Sequence, residues 1–238
     1  MTSPISNILF MDIETVSQYP SFAEVPDEWK ELWSRKSEFL IKDKLVDSPE
    51  TIYGRAGIYA EFGRIICISC GIISGSKDDK TLSLKSFFGD DEREILQQFC
   101  DMLTKWDSEN NKCLCAHNGK DFDFPYLCRR LIIHALPIPP ILQISGKKPW
   151  EIQHLDTMEL WKFGDYKNYT SLNLLARSLG IPTPKDDIDG SKVGEVYWQQ
   201  HDLPRIVNYC QKDVITVAQV YLRLNDRSEI KPEKIIIK

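Results

Sequence analysis

Three clusters of acidic residues in this chain stand where solubility alone does not explain them. Phe10-Met11-Asp12-Ile13-Glu14-Thr15 reads as the end of a strand, and residues two apart on a strand share a face. Asp12 and Glu14 therefore project side by side from an otherwise apolar segment, where they repel each other and are costly to desolvate. A cation between them would resolve both problems, and so would a strand end that reaches solvent. The stretch from Ala116 to Leu127 holds Asn118, Asp121 and Asp123 where a strand hands over to a helix. Sites gather at such strand ends in sheet-based α/β folds, although either aspartate would also serve as a helix cap. Tyr209 and Asp213 lie one turn apart on a helix, on the face that carries Ile206, Val217, Val220 and Leu224. An aspartate in that apolar stripe needs a partner, either a metal ion or a basic residue.

The elements that must carry these groups follow from hydrophobic periodicity. Ile8 to Thr15 is a strand ending in acids, Ile65 to Ile73 is a continuous apolar run suited to a buried strand, and Thr81 to Phe88 alternates as a third. Asp90 is placed to cap a helix to about Trp106, with Ile95, Leu96, Phe99, Met102 and Leu103 inward. Cys113 to Ala116 is a short strand, and a helix follows from about Phe124 to Ala135, with Pro125 tolerated in its first turn. Gln153 to Asp156 suggests a last strand, then short helices at Thr157–Lys162 and Ser171–Leu179 and a long one from Pro204 to Leu224. This order predicts a single α/β domain over residues 1–238. Residues 17–63 do not fit the pattern and are expected to form a helical insertion after the first strand, with one helix after Pro26 and another after Pro49. Its Lys30, Arg35, Lys36, Lys42 and Lys44 make either a solvated helix surface or a flap that grips a substrate backbone. The tail from Lys231 to Lys238 is expected to be loosely ordered or a short edge strand.

With 238 residues, 42% apolar and 27% charged, the chain is long enough to bury a full core. A formal net charge of −5 excludes a generic basic nucleic-acid coat. A pocket of several carboxylates is itself acidic, however, and draws phosphate only once divalent metal fills it. Met1 to Phe10 lacks the basic and apolar regions of a signal peptide, and no run approaches the ~18 apolar residues of a membrane span. Seven scattered cysteines suit a reducing compartment, so a cytoplasmic protein is expected. Cys67 and Cys70 have the spacing of a redox motif but lie within a strand, so plain buried cysteines are expected. Asp156 and Glu159 fit a capping box around Thr157-Met158. Asp186, Asp187 and Asp189 lack the spacing of a calcium-binding EF-hand loop.

Taken in order, an acid-x-acid strand, an aspartate at a mid-chain helix start and Tyr-x3-Asp on a late helix resemble one superfamily. It is the DEDD 3′–5′ exonucleases, in the tyrosine-bearing (DEDDy) branch, on the RNase H-like fold. The motifs that carry the likeness are Asp12-Ile-Glu-Thr15, Asn118-Gly-Lys-Asp-Phe-Asp123-Phe-Pro-Tyr-Leu127 and Tyr209-x3-Asp213. They are similar to the proofreading domain of family-B DNA polymerases. Ala56 to Ser69 and Lys185 to Gly190 look like a stand-alone bacterial group of polymerase-B-related exonucleases. The likeness spans about residues 7 to 224.

The resemblance implies a mixed sheet flanked by helices and two divalent metal ions, Mg²⁺ or Mn²⁺, which prefer hard carboxylate oxygens. Asp12 would bridge the two ions, Glu14 and Asp213 would complete one site, and Asp123 would support the other. Tyr209 would orient the attacking water. The expected reaction releases nucleoside 5′-monophosphates from the 3′ end of single-stranded DNA. Thr15, Asn118 and Phe122 are candidates for the terminal-nucleotide pocket because they lie beside the motifs, with Phe122 either stacking a base or packing in the core. Histidine-bearing relatives place that histidine on the third-motif helix, so His117 is expected to be a structural loop residue. The same chemistry on RNA and a catalytically idle nucleic-acid-binding module are the rival readings. No membrane contact is expected, and no particular protein partner is implied. Two features depart from the pattern: no polymerase domain follows, so any proofreading would act in trans or not at all, and a long segment after Glu14 replaces a short hairpin.

Overall fold

The computed structural model describes residues 4–42, 45–76, 79–109, 111–165, 169–182, 188–225 and 228–238. The elements in chain order are β1 (Ile8–Ser17), α1 (Asp27–Ser37), β2 (Gly63–Gly75), β3 (Lys80–Phe88), α2 (Glu92–Trp106), β4 (Cys113–Ala116) and α3 (Asp123–Ile133). They continue with β5 (Leu155–Asp156), α4 (Thr157–Lys162), α5 (Leu172–Ser178), α6 (Val193–Trp198), α7 (Leu203–Leu224) and β6 (Ile235–Ile237). The strands form one mixed sheet in the order β5-β4-β1-β2-β3-β6, so the expected α/β architecture with helices flanking a mixed sheet is what the chain adopts. β1 pairs antiparallel with β2 and parallel with β4.

Alternation along β1 decides which face carries chemistry. Leu9, Met11 and Ile13 pack into a core with α2 and α3, whereas Ile8 and Phe10 pack into a second core under α7. Asp12 and Glu14 continue the second series, because side chains on a strand alternate faces. α7 covers this face with Val214, Val217, Ala218, Tyr221 and Leu222, a stripe at helical spacing. Gly71 on β2 allows that close approach, since a Cβ there would lie 3.3 Å from Val214 Cγ1 and 3.0 Å from Leu82 Cδ1.

Several local expectations change. The cap of α2 is Asp91, whose Oδ1 accepts from the Glu94 N–H at 3.2 Å. Asp90 instead accepts from the Tyr197 hydroxyl at 2.7 Å, tying α6 to the start of α2. The expected helix after Pro49 is a 3-10 helix over Tyr53–Ile58, since two glycines in six residues disfavour an α-helix. Part of the basic face of residues 17–63 is partnered within that segment. Lys30 pairs with Asp27 at 3.3 Å, Arg35 pairs with Glu31, and the Lys36 ammonium lies 4.5 Å from the Tyr59 ring centroid. Lys44 lies outside the described residues. The tail supplies β6, which pairs parallel with the edge strand β3. Cys67 and Cys70, three apart on β2, fall into cores on opposite sides of the sheet, which excludes a mutual disulfide.

The return from residues 17–63 into the sheet is fixed by a buried polar network. Glu92 Oε1 accepts from the Ile65 N–H at 2.7 Å and from Arg130 Nε at 2.8 Å, while Arg130 Nη1 donates to the Ala60 carbonyl at 2.7 Å. Each member is satisfied, the condition under which a buried ion pair is tolerated. Among the described residues no helix is long and apolar enough to cross a membrane.

Candidate active site

The end of β1, the start of α3 and the middle of α7 enclose one cavity of about 880 Å³. Asp12, Glu14, Thr15, Asn118, Phe122, Asp123, Tyr209 and Asp213 all line it. Every residue singled out as a candidate is therefore brought to one place, from motifs separated by about a hundred residues each. Asp121 is exposed and does not line the cavity, whereas Asp123 is buried.

Asp123 is no helix cap. It is the first residue of α3, the position before it is Phe122, and its Oδ1 accepts the Ile13 N–H across to β1 at 3.2 Å. That bond joins the second motif to the strand of the first, between Asp12 and Glu14. Asp12 Oδ2 accepts from the Cys210 thiol on α7 at 3.4 Å, which ties the first motif to the third. Tyr209 is hydrogen-bonded to Asp213 one turn on, as i, i+4 spacing allows.

The electrostatics of this arrangement are adverse without a cation. Burial, and then the charges of Glu14, Asp213 and Asp123, hold the Asp12 carboxyl well above the ordinary range. Glu14 is raised by burial and by Asp213, Cys67 and Asp123, against a lowering hydrogen bond shared with Asp12. Burial pushes Asp123 up to about 7, despite the N–H bonds from its own backbone and from Ile13 that favour its charged form. No ammonium or guanidinium of the described residues pairs with Asp12, Glu14 or Asp123. Asp12, Glu14 and Cys210 offer ligand atoms within 4.8 Å of one another. The donor set thus fits a hard divalent cation, which would relieve the repulsion that protons otherwise relieve. The Tyr209 hydroxyl is also pushed far above its usual value, first by burial and then by Asp213, Glu14 and Asp12. It remains a phenol at any working pH.

The loop that presents Asn118 is held by a residue that pattern reading treated as a simple cap. Asp156 does cap α4, accepting from the Met158 N–H at 2.9 Å and the Glu159 N–H at 3.3 Å. The same carboxylate accepts from the Asn118 N–H at 2.9 Å and the Lys120 N–H at 3.1 Å. Asn118 can then adopt φ 63°, a left-handed conformation that asparagine tolerates better than most residues. Glu159 pairs with Lys120 at 2.6 Å. His117 is held on both ring nitrogens, 2.9 Å from Thr157 Oγ1 and 2.8 Å from the Thr170 carbonyl, and burial lowers its pKa. It is a fixed part of the cavity wall. Phe122 packs against Tyr126 at 5.3 Å between ring centroids and also lines the cavity.

Part of the cavity wall was not foreseen. Thr51, Ile52, Gly54, Arg55, Gly57 and Ile58 form it, and Tyr169, Ser191 and Gly194 add to the rim. No periodicity signals them, because all but Gly194, which lies in the short helix α6, come from loops and short turns. Of the expected Lys185–Gly190 segment, residues 185–187, Asp186 and Asp187 among them, lie outside the described residues. Asp189 Oδ1 accepts from the Ser191 N–H at 2.9 Å.

Residues 58–234 match a family model described as a predicted 3′–5′ exonuclease related to the exonuclease domain of PolB. A DNA polymerase of Pyrococcus glycovorans is similar at 22% identity, over positions that cover 51% of this chain and 17% of that protein. A structure of the family B DNA polymerase from the hyperthermophilic archaeon Pyrobaculum calidifontis matches over 92% of this chain and 24% of its own, at 15% identity and a TM-score of 0.56. The last likeness is one of fold alone. The chain spans about a sixth of the length of the curated relative and about a quarter of the solved one.

Proposed function

The chain belongs to the family of predicted 3′–5′ exonucleases related to the exonuclease domain of PolB, and from that premise we propose that it removes nucleoside 5′-monophosphates from the 3′ end of single-stranded DNA. The observation that carries this reading is the convergence of Asp12, Glu14, Asp123, Asp213 and Tyr209 on one cavity. The four carboxylates would hold two divalent ions, Mg²⁺ or Mn²⁺, in the manner of the DEDDy branch. Bound there, such a pair lowers the pKa of water and offsets charge on the phosphate.

The chain's own groups supply position and proton control. Asp12 and Glu14 stand side by side on a strand pinned between two cores. Asp123 is fixed to that strand through the Ile13 N–H. Tyr209, hydrogen-bonded to Asp213, would orient a water through its hydroxyl. Thr15, Asn118 and Phe122 would receive the terminal nucleotide, with the Phe122 ring offering a face to a base. His117, bonded on both nitrogens, shapes the wall.

The test is a time course on 5′-labelled single-stranded DNA with Mg²⁺ or Mn²⁺, beside EDTA and Asp12→Ala controls. A ladder that shortens from the 3′ end and vanishes in both controls is the expected result. Full activity of Asp12→Ala would refute the metal assignment. Degradation of a matching RNA oligonucleotide alone would move the substrate to RNA, and inertness toward both would leave a binding module.

A further inference from the structure

We propose that Arg55, with the open backbone of Gly54 beside it, binds the phosphate of the nucleotide upstream of the one being removed. This deepens the exonuclease reading above and rests on it.

Charge is the first argument. The cavity wall built by Asp12, Glu14, Asp123 and Asp213 is anionic, and each nucleotide of the substrate brings a further negative charge. Metal at the acids serves the scissile phosphate, and the next phosphate along the strand needs a countercharge of its own. Among the described residues that line the cavity, Arg55 is the single guanidinium or ammonium. It is exposed, and no ion pair or side-chain hydrogen bond engages it among the described residues. Of the basic residues read as a possible grip on a strand, Lys30, Arg35 and Lys36 are partnered within their own segment, and none of the described ones lines the cavity. Arginine suits this role because its planar fork matches phosphate oxygens.

Anchoring is the second argument. The 3-10 turn that presents Arg55 buries Tyr53 and Ala56 in a small core around Trp33, with Tyr53 edge-on to the Trp33 ring at 5.7 Å. The Gly57 carbonyl accepts from the Tyr126 hydroxyl at 2.8 Å, and a Cβ on Gly57 would stand 2.9 Å from the Val16 carbonyl carbon. The turn is therefore fixed to β1 just beyond Glu14 on one side and to α3 on the other. The backbone that carries Arg55 is thus already ordered, and binding has only its side chain left to immobilise.

Gly54 is the third argument. It lines the cavity, its φ lies outside the left-handed region, and a Cβ added there would meet nothing within 4 Å. Neither backbone conformation nor packing within the chain demands glycine at this position. Close approach of a substrate backbone to the main chain does account for it.

The experiment compares wild type, Arg55→Ala and Arg55→Lys, all as the full chain with Mn²⁺. One substrate is a 5′-labelled single-stranded oligonucleotide, and the other is the p-nitrophenyl ester of thymidine 5′-monophosphate, which has no upstream phosphate. Arg55→Ala is expected to raise KM for the oligonucleotide about tenfold, with kcat changed less than about threefold, the scale of one charge-assisted contact. The slope of log KM against log salt should fall by about 0.7, the loss of one phosphate contact on a single strand. The Ala variant should lose far more kcat/KM on the oligonucleotide than on the ester, and Arg55→Lys should recover most of the salt slope. An oligonucleotide KM within twofold of an active wild type, or equal losses on both substrates, would overturn the assignment while leaving the exonuclease reading intact. A wild type inert toward both substrates would overturn the exonuclease reading and this inference with it.

Discussion

Replacing Asp123 with asparagine should stabilise the metal-free protein while abolishing its activity. Asp123 is buried, and its carboxyl is pushed up to about 7, first by burial, against N–H bonds that favour its charged form. In the unfolded chain the same group titrates near its ordinary value of about 3.9. Below that value the folded and unfolded states both hold the proton, and the favourable contribution to folding is complete. Between about 4 and 7 the folded state keeps a proton that the unfolded chain has released, so stability declines as pH rises. Above about 7 the decline is finished, and the fold carries a desolvated charge worth roughly 4 kcal/mol against it. Asp12 and Glu14 shift in the same direction and steepen the decline. Asparagine keeps an oxygen for the Ile13 N–H, 3.2 Å away in the native chain, and removes the charge. In EDTA at pH 8, Asp123→Asn should therefore melt higher than wild type by roughly 8–16 °C, for a domain of this size. Thermal unfolding of both proteins from pH 5 to 8, with and without Mn²⁺, is the assay. Wild type should lose stability with rising pH in EDTA and regain it with Mn²⁺, and the variant should be flatter in both respects. A variant that melts below wild type at pH 8 in EDTA, or a wild type insensitive to pH in that range, would refute the reasoning.

Asp156→Ala removes the acceptor of four backbone N–H groups, those of Asn118, Lys120, Met158 and Glu159. Urea unfolding should show a loss of about 2–4 kcal/mol, and KM for DNA should rise because the Asn118 loop is freed. Gly63→Ala would set a Cβ against the Tyr126 hydroxyl and 2.7 Å from the Gly57 carbonyl oxygen. It should cost about 1–3 kcal/mol by overpacking and weaken substrate binding by displacing the Arg55 turn, measurable by calorimetry and by KM. Tyr209→Phe should lower kcat by roughly tenfold or more with little change in DNA affinity. A Phe variant at the wild-type rate would remove Tyr209 from the mechanism.

Much of this protein is determined by short-range pattern. Alternation along residues 8–17 places Asp12 and Glu14 on one face with Ile8 and Phe10, and the three- and four-residue spacing in α7 aligns Tyr209 and Asp213 with Val217 and Val220. Both are consequences of backbone geometry alone, since side chains repeat every two residues on a strand and every 3.6 on a helix. The long elements β1, β2, α2, α3 and α7 were legible for that reason. One short element was not: α6 has six residues, too few for a period to declare itself. The choice of Asp91 over Asp90 as a cap also lay beyond local pattern, because it turns on where the Tyr197 hydroxyl arrives from α6.

The tertiary structure alone decided which loops meet the acids. Asp123 proved to be a buried acceptor for β1 rather than a helix cap, through a contact 110 residues distant in sequence. Asp156 proved to hold two loops at once. Part of the cavity wall came from the 3-10 turn around Arg55, whose glycines and lone cation show no periodicity. Spacing along a chain encodes which side chains share a face of one element. It does not encode which faces converge, because convergence depends on how sheet and helices pack, and that is a property of the whole core.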